Sequence, residues 1–171
     1  MDESTRENET QLVVFMLGEE EFACEINNVA EVLKMVKVTP LPQTIEFVEG
    51  VINLRGEVIP VIDLRKRFGL MEAERTSDSR IIIVEVDGRM FGLIVDSVSE
   101  VAGLPSNQIQ EAPDHIAGGR NHLIMGVGKI DDRMVIILNI EHILSADEQV
   151  ALDQVTQPEK EVPQIDQKKQ V

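Results

Sequence analysis

The stretch that decides the fold runs Gly50-Val51-Ile52-Asn53-Leu54-Arg55-Gly56-Glu57-Val58-Ile59-Pro60-Val61-Ile62-Asp63-Leu64. Its two halves are rich in β-branched side chains, and Gly56 between them supplies the positive φ that a three-residue hairpin loop needs. Asp63 stands where a helix N-cap belongs, and Gly69 closes the one or two helical turns that follow. The stretch therefore predicts a hairpin with Arg55 near its tip, followed by a short helix.

The composition indicates a globular protein of modest size with an acidic surface. The chain has 171 residues, 43% of them apolar, and 31 acidic against 16 basic residues give a net charge of −15. This charge disfavours nucleic acid and anionic membrane faces, so a basic or positively charged protein partner fits better. No apolar run reaches the roughly 18 residues of a membrane span, and the acidic start is unlike a signal peptide. We therefore expect a cytoplasmic protein without direct membrane insertion.

Three further hairpins are predicted from β-branched or alternating runs that short turns separate. Their turns contain Gly18, Asp87-Gly88 and Asp131-Asp132, of which Asp87-Gly88 is a strong type I′ signal. The hairpins cover residues 11–26, 80–95 and 123–138.

Two short segments carry helical signals. Asn28 followed three residues later by Glu31 resembles a capping box. The helix predicted there has an apolar face formed by Val29, Val32 and Leu33. Residues 96–101 are expected to form a second short helix or a bent strand.

The chain contains an internal repeat, which is sought early because a missed repeat misleads the assignment of the fold. Phe22 lies 69 positions before Phe91, and Gly50 lies 76 positions before Gly126. In these two registers the apolar strand residues and the polar residues that follow them recur together. The matched pairs include Leu17 with Val86, Glu31 with Glu100, Ile62 with Leu138, and Asp63 with Asn139.

Two tandem copies of an all-β unit of about five strands, with a few short helices, explain this repeat, because short strands with such turns suit small barrels. Strand exchange between the barrels stays open. The predicted order is a disordered segment at residues 1–10, a first barrel at 11–70, a linker at 71–79, a second barrel at 80–144, a C-terminal helix at 145–156 and a disordered tail at 157–171.

The repeat also bears on Arg55. The positions of the second copy that face Arg55 and Gly56 hold Asp131 and Asp132, so the second hairpin closes without an arginine. This favours Arg55 as an exposed donor suited to a carboxylate on a partner. A solvated arginine with no partner is the alternative.

No catalytic, cofactor or metal site is predicted. A Gly-x-Ser-x-Gly elbow and a His-Glu-x-x-His helix are absent, and His115, His122 and His142 stand too far apart to share a helix face. Cys24 is the single cysteine, so neither an intramolecular disulfide nor a thiolate zinc cage forms. Without Trp or Tyr there is no stacking platform for bases.

The residues around the hairpin resemble a known signature. Phe47-Val48-Glu49-Gly50-Val51-Ile52-Asn53-Leu54-Arg55-Gly56, followed by Val58-Ile59-Pro60-Val61-Ile62-Asp63-Leu64-Arg65, is similar to that of CheW-type chemotaxis coupling proteins. Met125-Gly126-Val127-Gly128 adds support, and the resemblance covers about residues 10–150.

The resemblance implies two SH3-like five-stranded barrels and a non-enzymatic adaptor, placed at receptor arrays beneath the inner membrane. One end of the adaptor would pack against the regulatory domain of the chemotaxis histidine kinase, and the groove between barrels would take the cytoplasmic tip of a chemoreceptor. A small hydrolase or a metabolite-binding protein on a barrel scaffold is the alternative. The implied partner-binding residues are Val29, Glu31, Gly50, Asn53, Arg55 and Gly56.

Overall fold

The structure, a computed structural model, describes residues 9–42, 45–111, 123–144 and 148. In that part ten strands form two five-stranded sheets, joined by a few short helical segments, so the predicted all-β class is confirmed. The strands are β1 (Glu9–Leu17), β2 (Glu20–Glu25), β3 (Val29–Lys34), β4 (Val48–Leu54), β5 (Glu57–Asp63), β6 (Arg80–Val86), β7 (Arg89–Val95), β8 (Ser97–Pro105), β9 (Ile124–Ile130) and β10 (Arg133–Leu138).

The helical segments are short. A four-residue helix, α1 (Leu64–Arg67), follows β5, and 3₁₀ turns span Ile26–Asn28, Ser106–Gln108 and Ile140–His142. The predicted C-terminal helix at 145–156, apart from Glu148, lies outside the described residues, as do the predicted tail at 157–171, most of the N-terminal segment, His115 and His122.

Each sheet takes strands from both sides of residues 71–79. Barrel I has the strand order β8-β1-β2-β10-β9, and barrel II has the order β3-β6-β7-β5-β4. Phe22 of β2 pairs in parallel with Ile136 of β10, and Val61 of β5 pairs in parallel with Gly92 of β7. The strands are therefore divided differently from the contiguous ranges 11–70 and 80–144, because the first hairpin of each half joins the last three strands of the other half.

The internal repeat is visible in the strands themselves. A shift of 76 positions carries β4 (Val48–Leu54) onto β9 (Ile124–Ile130), and a shift of 69 carries most of β1 and β2 onto β6 and β7. The exchange is therefore reciprocal: strands equivalent by the repeat occupy equivalent places in the two sheets. The two barrels are related by an approximate twofold axis.

Apolar side chains form three layers. Ile81 and Ile83 of β6 point into barrel II, whereas Ile82 and Val84 belong to the core between the barrels. A strand that is buried on both faces is apolar at consecutive positions rather than at alternate ones, which explains this run. The interior of barrel I holds Leu12, Val14, Ala23, Leu104, Ile130, Val135 and Ile137.

The helix predicted after Asn28 is wrong, because residues Val29–Lys34 form the edge strand β3. Val32 lies opposite Ile82 of β6 in antiparallel register. In β3 half-buried residues alternate with exposed ones, and Leu33 packs against the interior of barrel II. Pairing with a strand about 50 positions later outweighs a weak local helical preference. For residues 96–101 the sequence allowed a short helix or a bent strand, and the structure has a strand there, β8.

The hairpin at the centre of the sequence has a tighter turn than predicted. Leu54 lies opposite Glu57, so the turn contains the two residues Arg55 and Gly56, with φ values of 52° and 88°. Positive φ at both positions is the type I′ geometry. The predicted N-cap is confirmed, since Asp63 Oδ1 accepts a hydrogen bond of 2.9 Å from the backbone N–H of Arg65.

Candidate functional site

The six predicted partner-binding residues all lie on barrel II. Val29 and Glu31 are on β3, Gly50 and Asn53 are on β4, and Arg55 with Gly56 forms the turn after β4. Because β3 and β4 are the two edges of this sheet, the curled sheet brings its edges together here. The structure thus places all six near the seam of one barrel.

An ion pair closes this seam. Arg55 Nη2 donates to Glu31 Oε2, and Thr39, further along the chain from β3, bonds Val51 of β4 in both directions at 2.8 and 2.9 Å. The side chain of Arg55 is 70% exposed and that of Glu31 is 30% exposed. The hydrogen bond that Arg55 donates to Glu31, together with the charge of Glu31, raises the pKa of Arg55. The guanidinium therefore stays charged and keeps most of its surface available to a partner.

Two of the other residues shape the backbone. Gly50 is buried with φ of 152°, and a Cβ there would lie 2.0 Å from the carbonyl oxygen of Thr39. Asn53 Oδ1 accepts a hydrogen bond of 2.8 Å from the backbone N–H of Gly56, which fixes the turn. Gly50 and Asn53 thus hold the hairpin in the shape that presents Arg55.

The remaining two residues differ in their surroundings. Val29 is half-buried and packs against the core between the barrels. A Cβ added to Gly56 would meet nothing within 4 Å. Gly56 therefore lies open to solvent at the tip, whereas Val29 has only part of its surface free.

Two exposed apolar side chains lie on strands of the same barrel. Val32, next to Glu31, is 41% exposed, and Val58, opposite Asn53 on β5, is 44% exposed. We call the surface around Glu31 and Arg55 the ion-pair face; Val32 points to the other side of β3 from Glu31, because side chains alternate along a strand. Val58 is not among the residues predicted from the sequence, although its outward place in the alternation of β5 indicates its exposure.

Barrel I contains a corresponding ion pair. Arg133 Nη2 donates to Glu100 Oε2 at 2.7 Å, and Arg133 Nη1 donates to Glu21 Oε1 at 2.9 Å. Glu100 is the repeat counterpart of Glu31, but Arg133 is the counterpart of Glu57 rather than of Arg55. The second hairpin thus closes its turn with Asp131 and Asp132, as predicted, and Arg133 next to the turn supplies the arginine that reaches Glu100.

The described residues offer little for catalysis. They contain no group of three or more His, Cys, Asp or Glu side chains that would hold a metal ion. Burial, with a smaller contribution from the charge of Glu25, raises the pKa of the Cys24 thiol to about 12, so the thiolate nucleophile is suppressed. None of the described helices has the length and apolar character of a membrane span. What this surface provides is a charged donor beside apolar side chains, an arrangement suited to binding a protein.

Comparison with known proteins agrees with the fold and covers most of the chain. The family model described as a CheW-like domain matches residues 11–148. The chemotaxis protein CheW of Helicobacter pylori is 36% identical over 137 residues, which are 80% of this chain and 82% of that protein. The chemotaxis protein CheW of Bacillus subtilis is 35% identical over 134 residues, 78% of this chain and 86% of that protein.

A solved structure is also similar. The crystal structure of the scaffolding protein TtCheW from Thermoanaerobacter tengcongensis shares 44% sequence identity and superposes with a TM-score of 0.76, covering 81% of this chain and 90% of that one. The likeness extends over both barrels rather than one of them.

Proposed function

The chain belongs to the CheW family of chemotaxis coupling and scaffold proteins, and from this we propose that it joins the regulatory domain of a chemotaxis histidine kinase to the cytoplasmic tip of a chemoreceptor. The family couples chemoreceptors with the kinase. We assign the ion-pair face to the kinase and the groove between the barrels to the receptor.

The observation that carries this assignment is the pairing of Arg55 with Glu31 across the seam of barrel II. The pair leaves the guanidinium 70% exposed, and a guanidinium held in place by one carboxylate is pre-organised to bind a second. Val32 and Val58, on strands of the same barrel, are exposed apolar side chains. A charged anchor within an apolar surround is the usual composition of a protein interface.

The six residues predicted from the sequence take different parts in the proposed contact. Arg55 and Glu31 contact the partner directly, and Gly56 lets the partner approach the tip. Val29 contributes its exposed part. Gly50 and Asn53 act through the shape of the hairpin, because Gly50 is buried and Asn53 holds the turn.

We propose a cytoplasmic location at receptor arrays beneath the inner membrane, and a scaffold without catalytic activity, cofactor or metal. Both proposals follow from the family to which the chain belongs. The comparisons give no support to the alternative of a small hydrolase or metabolite-binding protein.

The test measures binding of the full chain to the kinase regulatory domain and, separately, to a receptor cytoplasmic fragment. We expect Arg55→Glu to weaken kinase binding by more than about tenfold, because it places a carboxylate beside Glu31 where the partner carboxylate should lie. Binding of the receptor fragment should change little. Failure of the unmodified chain to bind either partner would remove the coupling function itself.

A charge exchange separates recognition from mere closure of the barrel. The double variant Glu31→Arg with Arg55→Glu restores an ion pair with reversed polarity. If the kinase requires the guanidinium at position 55, binding stays weak in the double variant, and full recovery would contradict the assignment. Arg80→Ala is the matched control, since Arg80 Nη1 donates to the nearby carbonyl groups of Ser77 and Ser79.

A further inference from the structure

The helix α1 carries a polar contact close to the approximate twofold axis. Arg67 Nε donates to the carbonyl oxygen of Ile143 at 2.8 Å, and its guanidinium lies 4.5 Å from the centroid of the Phe47 ring. Ile143 is the counterpart of Arg67 under the 76-residue shift. A residue meets its own counterpart only near the axis that relates two copies, so Arg67 lies close to that axis.

A second arginine of α1 binds the residue at which the chain leaves barrel II for barrel I. Arg65 Nε donates to Asp96 Oδ1 at 2.9 Å, and Arg65 Nη2 donates to Asp96 Oδ2 at 2.5 Å. Asp96 lies where the chain passes from β7 in barrel II to β8 in barrel I. The Gly18 N–H donates to Asp96 Oδ2 at 2.7 Å, and the Asp96 N–H donates to the carbonyl oxygen of Met16 at 3.0 Å. Asp96 is thus fastened to barrel I, whereas Arg65 follows the last strand of its segment of barrel II.

The geometry of this pair fixes an angle as well as a distance. A guanidinium that binds both oxygens of one carboxylate is held in a common plane with it. Arg65 is 15% exposed and Asp96 is 33% exposed, so salt screens the pair less than it screens a fully exposed one. The third arm of the fork, Arg65 Nη1, donates to the carbonyl oxygen of Met71 at 2.6 Å. The guanidinium therefore has little freedom to turn.

The opposite side of the axis has no corresponding pair. Under the repeat, Glu141 stands for Arg65 and Asn27 stands for Asp96, and the uncharged amide of Asn27 cannot form an ion pair with Glu141. The hydrophobic effect that stabilises the apolar core between the barrels is non-directional. The side chains of this core hold the barrels together, but they specify the angle less strictly than a planar fork does.

We infer that Arg65 is a positioning residue, which sets the angle between the barrels through Asp96 and Gly18, with the Arg67 contact as the pivot. Its consequence for signalling rests on the proposed function: a kinase on the ion-pair face and a receptor in the groove keep a fixed relation only while the angle is fixed. Loss of Arg65 lets the barrels rotate about the pivot while the core of each barrel stays intact.

The test measures a distance between the barrels in the full chain without partners. Spin labels are attached to Lys34→Cys on β3 and Lys129→Cys on β9, both at exposed positions. Cys24 does not compete for the label, because it is buried and its thiol pKa is about 12. Arg65→Met is expected to shift or broaden the distribution of distances between the labels. Arg65→Lys keeps the positive charge but cannot bind both carboxylate oxygens in one plane. Its distance distribution should lie between those of the unmodified chain and Arg65→Met.

Two further variants make the result decisive. Asp96→Asn keeps an acceptor for the Gly18 N–H and should reproduce the effect of Arg65→Met. Arg133→Met removes an arginine that binds two glutamates within barrel I alone, so the distribution should stay as in the unmodified chain. An unchanged distribution in both Arg65→Met and Asp96→Asn, or an equal change in Arg133→Met, would overturn the inference. Because no partner takes part, this outcome is independent of whether the coupling function holds.

Discussion

Arg133 binds Glu100 in barrel I at the place where Arg55 binds Glu31 in barrel II. The two arginines come from positions of the repeat that differ by two residues, yet each ties a glutamate on one edge strand to the hairpin at the other edge. An ion pair is therefore a common way of closing both barrels. The two arginines differ in the exposed fraction of their side chains. Arg55 is 70% exposed, whereas Arg133, which also binds Glu21, is 39% exposed.

This difference predicts unequal effects on stability. Arg133→Ala leaves two neighbouring glutamates, Glu21 and Glu100, without their shared cation, whereas Arg55→Ala leaves Glu31 alone. We expect Arg133→Ala to lower the free energy of unfolding more than Arg55→Ala does, because like charges then face each other. Urea denaturation followed by circular dichroism measures both. An equal loss would mean that Glu21 takes no part in the pair.

Gly50 and Gly56 provide a matched test of close packing against turn geometry. Gly50→Ala puts a Cβ 2.0 Å from the Thr39 carbonyl oxygen and should cost about 2–4 kcal/mol. Gly56→Ala meets nothing within 4 Å but keeps φ of 88°, so the cost should be about 1 kcal/mol. Thermal or urea unfolding distinguishes the two. A tolerated Gly50→Ala would show that β4 and Thr39 separate easily.

The pair of Arg65 and Asp96 predicts a dependence of stability on pH. The hydrogen bond from Arg65 lowers the pKa of Asp96, so its contribution is complete above the ordinary value of about 3.9 and is lost as the pH falls through the lower folded value. The free energy of unfolding of the unmodified chain minus that of Asp96→Asn should be constant above about pH 5 and should shrink below about pH 4. Urea titrations at several pH values check this, and a difference that grows in acid would contradict it.

Cys24 reports on opening of the core. Its side chain is fully buried within the core between the barrels, and its pKa is raised to about 12. We expect a maleimide or disulfide reagent to modify the native protein at pH 8 only through transient unfolding, so labelling should speed up with added urea. Fast labelling in buffer alone, at the rate of a free thiol, would show that this part of the core opens locally.

The hairpins, the capped helix and the repeat could all be predicted from the sequence, because each rests on residues near one another in the chain. Asp87-Gly88 specifies its turn, and Asp63 caps α1 through Arg65 only two residues away. The strand β3 could not be predicted from the sequence, because its apolar residues fit one face of a helix as well as they fit a strand. Only β6, far along the chain, decides between them.

Local sequence patterns also do not predict the exchange of strands between the barrels. Two similar copies have similar edges, so a hairpin such as β1–β2 has nothing nearby that chooses between β3 and β8 as its neighbour. The same similarity hid Arg133, because alignment of apolar residues placed Asp131 opposite Arg55. Side-chain reach, rather than position in the strand, determines which arginine meets Glu100.

The reciprocal exchange sets an order of events during synthesis on the ribosome. Every strand of barrel II is available once Val95 has emerged, whereas β1 and β2 wait for β8, β9 and β10, the last of which ends at Leu138. Until then the side chains of Ile82 and Leu93, which face the first hairpin in the finished protein, have no cover. At this stage of synthesis the N-terminal hairpin lacks its partner strands and the apolar surface of barrel II is exposed. A chaperone that binds apolar segments would act at this stage.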